Sequence, residues 1–109
     1  MILVILESPY SGDVEGNDLY LNACLADSLS RGEAPFASHG LYTRHGVLDD
    51  TNANERAKGI AAGFAWRRCA DKTVVYVDKG ISEGMKQGIL HAVRIRHKVE
   101  YRKILEVIT

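Results

Sequence analysis

Three carboxylates, Asp13, Asp78 and Glu83, stand close to glycines in segments that interrupt apolar runs. Acids gathered in one cleft can be driven to different pKa values and so divide the work of general acid and general base. They fall in two stretches with a common composition, Glu7-Ser8-Pro9-Tyr10-Ser11-Gly12-Asp13 and Asp78-Lys79-Gly80-Ile81-Ser82-Glu83-Gly84-Met85. Gly80 and Gly84 let backbone N–H groups approach a ligand and Ser82 adds a hydroxyl, which suits an oxyanion or a phosphate. Gly80 to Gly84 also spells GxSxG, but a nucleophile elbow needs a following acid and histidine aimed at the same cleft. No GxxxxGK[ST] run is present. Tyr10, in a turn where no core needs an aromatic ring, could stack on a base or sugar, with Pro9 stiffening that turn. Asp13 and Glu83 also have an ordinary structural reading as acids in the first turn of a helix.

Histidines and a charged pair supply the remaining candidates. His39 and His45 could reach the mouth of a cleft, whereas His91 and His97 read as surface or capping residues; the four show no metal-ligand spacing. Neither a metal nor a cofactor is therefore expected. Glu55 and Arg56 fall near a helix start, where a carboxylate and a guanidinium could hold a sugar hydroxyl or a phosphate. Trp66-Arg67-Arg68 and the group Arg94, Arg96, Lys98, Arg102 and Lys103 are basic, but 14 basic residues balance 14 acidic ones. Backbone-dominated binding to nucleic acid is not expected of such a chain.

These residues need a scaffold, and 109 residues with 46% hydrophobic side chains make one domain spanning 1–109. Met1 to Leu6 is a continuous β-branched apolar run, the pattern of a central strand covered on both faces, and is too short for a membrane span. Val14 to Ser30 carries Leu21, Cys24, Leu25, Ser28 and Leu29 at helical spacing, stopped by Gly32. Ala34 to His39 predicts a short edge strand because of Pro35, and Gly40 to Asp50 a loop. Asn52 with Glu55 predicts a capping box opening a helix through Ala57, Ile60, Ala61, Phe64 and Arg68. Thr73 to Val77 reads as a strand, Ser82 as the cap of a helix with Met85, Ile89, Ala92 and Val93 on one face, and His97 to Val107 as a last strand. Strands alternating with helices predict a three-layer flavodoxin-like or Rossmann-like domain with a mostly parallel sheet of four to five strands, Ile2 to Leu6 beside Val74 to Val77. Ligands of such sheets sit beyond the carboxyl ends of the strands. Cys24 and Cys69 read as small buried hydrophobes suited to a reducing cytoplasm, and Trp66 with other apolar residues on helix faces, which so small a sheet seldom covers completely, suggests a dimer or higher oligomer.

Taken in order, the strand followed by Ser8-Pro9-Tyr10-Ser11-Gly12-Asp13 and Asn17, then Pro35 to His39, Glu55-Arg56, and Val74 to Asp78 followed by Ile81-Ser82-Glu83-Gly84-Met85 and Ala92, resemble the small phage and bacterial proteins related to nucleoside 2-deoxyribosyltransferase. The resemblance covers nearly the whole chain. It implies a nucleoside or nucleotide bound over these loops, with cleavage or transfer at the N-glycosidic bond. It further implies a glutamate on the helix after the turn that attacks C1′ of the deoxyribose, and a second acid that helps protonate the base. Here that glutamate's place is taken by Gly88. Glu83 is the nearest substitute, but five residues earlier on a helix point about 140° away. Asp13 or Asp78 could instead act on water.

The expected function is a nucleoside- or nucleotide-recognising domain, cleaving or transferring at the N-glycosidic bond of a (deoxy)nucleoside or its 5′-monophosphate. Asp13, Asp78 and Glu83 are the candidate acids, and Ser8, Pro9, Tyr10, Gly12, Asn17, His39, Glu55, Arg56, Gly80, Ser82, Gly84, Met85 and Gly88 the candidate ligand contacts. The alternative is a non-catalytic module that binds a nucleotide or nucleotide-derived signal, with Gly88 making room for it. Restoring a carboxylate by Gly88→Glu is expected to leave the fold intact, since glutamate is the better helix former.

Overall fold

A computed structural model describes residues 1–104. Its four strands are β1 (Ile2–Glu7), β2 (Glu33–Phe36), β3 (Lys72–Tyr76) and β4 (Lys98–Arg102), and its helices are α1 (Val14–Ser30), α2 (Ser38–Leu41), α3 (Ala53–Arg67) and α4 (Glu83–Arg94). The strands form one sheet in the order β2-β1-β3-β4, every pair parallel. The expected α/β domain and the pairing of the first and third apolar runs are both present, with Leu6 opposite Val74. The expected last strand ends at Arg102, and the part of it that was placed on 105–107 lies outside the described residues.

Alternation along β1 and β3 sorts the side chains onto two faces. Val4, Leu6, Val74 and Tyr76 pack with Tyr20, Leu21 and Cys24 of α1 in the hydrophobic core. Ile5, Glu7, Thr73 and Val75 point the other way, toward the side covered by α3 and α4. Ile2 and Leu3 are about half exposed, so the strand is covered on both faces only from Val4 onward. The α1 face also carries a charged cluster. Arg102 of β4 grips Glu33 of β2 through two bonds of 2.7 and 2.9 Å, and the buried Tyr76 hydroxyl donates to Asp27 at 2.7 Å. This cluster ties the two edge strands together across the central pair.

Several local expectations change in the structure. The stretch 38–41 forms a single helical turn, too short for periodicity to reveal. Asn52 caps α3 by accepting from the N–H groups of Asn54 and Glu55, but the Glu55 side chain accepts from the Asp49 N–H, so the capping box is half formed. The buried positions of α3 are Gly63 and Arg67, while Ala57 and Ala61 are exposed. Arg67 is 2% exposed and so leaves the expected basic surface cluster. Cys24 is buried, whereas Cys69 is exposed. No helix among the described residues is long and apolar enough to cross a membrane.

Candidate functional site

The strand order reverses at β1: the chain leaves it to one side for β2 and crosses to the other side for β3, which opens a crevice beyond the strand carboxyl ends. A cavity of ≈ 110 Å³ lies there. Glu7, Ser8 and Tyr10 from the end of β1 and its loop, Ser38 and His39 from α2, and Arg56, Gly63 and Arg67 from α3 contribute to its wall. Ser82, Gly84, Met85 and Gly88 close it from α4. Tyr10, Ser11, Thr43, Leu48, Asp50 and Glu55 also line an outer groove of ≈ 690 Å³, so the small inner cavity opens into a wider one.

The carboxylate at the bottom of this cleft is Glu7. Its side chain is 13% exposed, and it is paired with the guanidinium of Arg67. Burial raises its pKa to about 7 against the opposing pull of Arg67. The carboxyl occupies the space beside Gly88. A Cβ at position 88 would lie 2.6 Å from the Glu7 carboxyl carbon and 2.8 Å from Oε1, closer than real contacts allow. The acid expected on the helix is thus absent, and an acid from the strand fills the place next to that position.

On the other side of the cleft wall the buried Ser8 hydroxyl lies 2.8 Å from Nε2 of His39. Burial lowers the His39 pKa to about 4, so the imidazole is neutral at pH 7. The hydroxyl of Thr43 donates to the His39 carbonyl and fixes the turn that carries it. Leu48 from the long loop presses on α3 where Gly59 leaves room, a Cβ there meeting Leu48 at 3.3 Å. At the mouth, Arg56 lies 3.8 Å from Asp50.

Of the sequence candidates, Ser8, Tyr10, His39, Glu55, Arg56, Ser82, Gly84, Met85 and Gly88 line this cavity. Ser82 spends its hydroxyl as the cap of α4, accepting from the Met85 N–H at 3.2 Å. The three proposed catalytic acids do not line it. Asp13 caps α1 through the Gly16 N–H. Asp78 accepts from the Tyr20 hydroxyl at 2.6 Å and from the Ile104 N–H, which turns it toward α1. Glu83 is exposed and paired with Lys86. Asn17 braces the first loop by donating to the carbonyls of Tyr10 and Ser11, Pro9 of that loop is buried, and Gly12 lines only the outer groove. Gly80, with φ +81°, makes the turn after β3 away from the cavity. His45 lines the outer groove.

The residues missed from sequence are Glu7 and Arg67. Glu7 follows the apolar run directly and reads as the first residue of a loop, yet it ends β1, the position from which a side chain enters a crevice of this type. Arg67 follows Gly63 by four residues on the same side of α3, a spacing that marks it as inward-facing once Gly63 is known to be buried.

Opposed titrations at the two buried groups give a pH expectation. Glu7 has its pKa raised on folding, so its stabilising contribution is complete below the unfolded value of 4.5 and is lost as pH rises through about 7. The His39 pKa is lowered, so its contribution is complete above 6.5 and is lost as pH falls toward about 4. His91, also lowered by burial and the nearby arginines, acts in the same sense as His39. Between pH 4.5 and 6.5 the slope from Glu7 therefore opposes those from His39 and His91. His39→Gln removes one of the slopes that favour higher pH, so on acidification across that window it should fare better relative to its own stability at pH 6.5 than wild type does, as read from denaturant midpoints.

A family model described as Domain of unknown function (DUF7768) matches residues 2–102. No curated protein matches the chain.

Proposed function

We propose that this chain, which belongs to the family of the domain of unknown function DUF7768, binds a nucleoside or nucleotide and breaks or transfers its N-glycosidic bond with Glu7 as the working carboxylate. The supporting observation is that Glu7 is buried in the cleft and fills the space beside Gly88, where the resemblance to nucleoside 2-deoxyribosyltransferases calls for a glutamate. A carboxyl with a pKa near 7 exists in both protonation states at neutral pH, which suits acid–base work, and its ionised form can bond to an anomeric carbon. In that step a Glu7 oxygen bonds C1′ as the C1′–N bond breaks. The electron pair stays on the base nitrogen, which takes a proton from water in the open outer groove. Water or a second base then attacks C1′, releasing the sugar and regenerating the carboxylate. The small inner cavity and the wide groove suit a ligand in two parts, one ring held deep and the rest outside.

A second reading draws on the Arg67 pair: a carboxylate already matched to a buried cation can serve a module that only binds. The experiment that decides is incubation with a panel of deoxynucleosides and their 5′-monophosphates, chromatography for free base, and titration calorimetry with the same compounds. Release of base is the expected result. Binding without release supports the second reading, and neither release nor binding defeats both.

A further inference from the structure

Arg67 ends α3, and its guanidinium, 2% exposed, is held on several sides. One terminal nitrogen donates to Glu7, while the other donates to the Gly88 carbonyl at 2.7 Å and lies 3.1 Å from Nδ1 of His91. A guanidinium has no acceptor, so Nδ1 of His91 must accept, and the imidazole is neutral with its proton on Nε2. The Phe64 ring lies flat against that imidazole, centroids 3.9 Å apart, and its centroid is 5.7 Å from the guanidinium carbon. Three elements therefore fix one cation: the end of β1, α3 itself and the middle of α4.

We infer that Arg67 is the positioning residue of this cleft: anchored by the Gly88 carbonyl and by neutral His91, it holds the Glu7 carboxylate in the space that glycine at 88 leaves open. The inference rests on Glu7 being the working carboxyl, and its consequences reach Glu7 without contact between His91 and a ligand. A planar fork can serve the carboxylate, the carbonyl and the imidazole together, whereas a lysine ammonium is a single flexible point charge. Burial alone pushes the Glu7 carboxyl toward its neutral form, and Arg67 is the group that opposes it. Of the other ionisable groups on the cleft wall, His39 is neutral at pH 7, Tyr10 and Tyr42 are phenols, and Asp50, Glu55 and Arg56 belong to its mouth. Around His91, burial first and then the charges of Arg67 and Arg68 at the end of α3, Arg94 on α4, and His97 before β4 all favour the neutral imidazole that the anchor requires.

The test is direct titration of Glu7 by carboxyl-carbon NMR on protein labelled in its glutamates, the signal assigned with Glu7→Gln. Arg67→Met should move the Glu7 midpoint upward by about one pH unit or more, a tenfold gain in proton affinity. Arg67→Lys should recover part of the shift, and His91→Phe, which keeps the stack on Phe64 but removes the acceptor, should move it upward by less. If Arg67→Met does not fold, Arg67→Lys and His91→Phe carry the test. A Glu7 midpoint unchanged in the variants that fold overturns the inference. The titration needs no substrate, so absence of base release from wild type would defeat the proposed activity while leaving this result standing. Where base is released, the pH profile of kcat should move with the Glu7 midpoint.

Discussion

On the proposed function, Glu7→Gln is expected to abolish release of free base, lowering kcat by at least about a thousandfold, with ligand affinity kept within a few-fold. Glutamine has the size of glutamate and an oxygen that can still accept from Arg67, so the contacts that fill the cavity survive. It cannot bond C1′ as an anion, and loss of a nucleophile removes stabilisation made only in the transition state. KM should therefore change far less than kcat. Asp13→Asn, Asp78→Asn and Glu83→Gln should each keep turnover within a few-fold. Asp13 is a helix cap, Glu83 is exposed beside Lys86, and Asp78 faces Tyr20, so that loss of its bond weakens folding rather than chemistry. Steady-state kinetics by chromatography, with calorimetry for affinity, separates these outcomes. Turnover within tenfold of wild type in Glu7→Gln would show that the working carboxylate is elsewhere.

The elements were legible because periodicity is strong over long segments, and the details were lost where local pattern and tertiary packing disagree. Val14 to Ser30 and Thr73 to Val77 were readable from the spacing of Leu21, Cys24 and Val74, which are buried, although Leu29 of the same expected stripe is exposed and the strand ends at Tyr76. α3 shows the opposite case. Its alanines suggested an apolar face, yet the helix buries Gly63 and Arg67, because a glycine allows close approach and a charge deep in the protein supplies a partner for Glu7. Nine of the candidate residues taken from the short motifs line the cavity. The motifs could not place the acids, because both loops carry carboxylates and sequence does not say which sheet face a loop turns toward. Asp78 follows Tyr76 onto the α1 side and meets Tyr20 there, while Glu7, which reads as the first residue of a loop, is the last residue of β1 and points to the α4 side.

That placement reverses what is expected of Gly88→Glu. Helix propensity alone favours the substitution by up to about 1 kcal/mol. The new Cβ, however, would overlap the Glu7 carboxyl, and the new carboxylate would crowd a second negative charge around the single guanidinium of Arg67. Glu7 has flexible bonds and can retreat, but only by leaving Arg67. The net cost should be about 3 to 5 kcal/mol, the range for disrupting a buried ion pair. Glu7→Ala alone should cost a similar amount, since Arg67 then lies buried without a counter-ion. Combining the two removes the overlap and returns one carboxylate to Arg67, now from the helix instead of the strand. Glu7→Ala with Gly88→Glu should therefore be more stable than the sum of the single losses by at least about 2 kcal/mol in urea unfolding. It should also release base faster than Glu7→Ala does. Strict additivity in stability would mean that positions 7 and 88 do not compete for one place, and the account of the cleft built on that competition would fall.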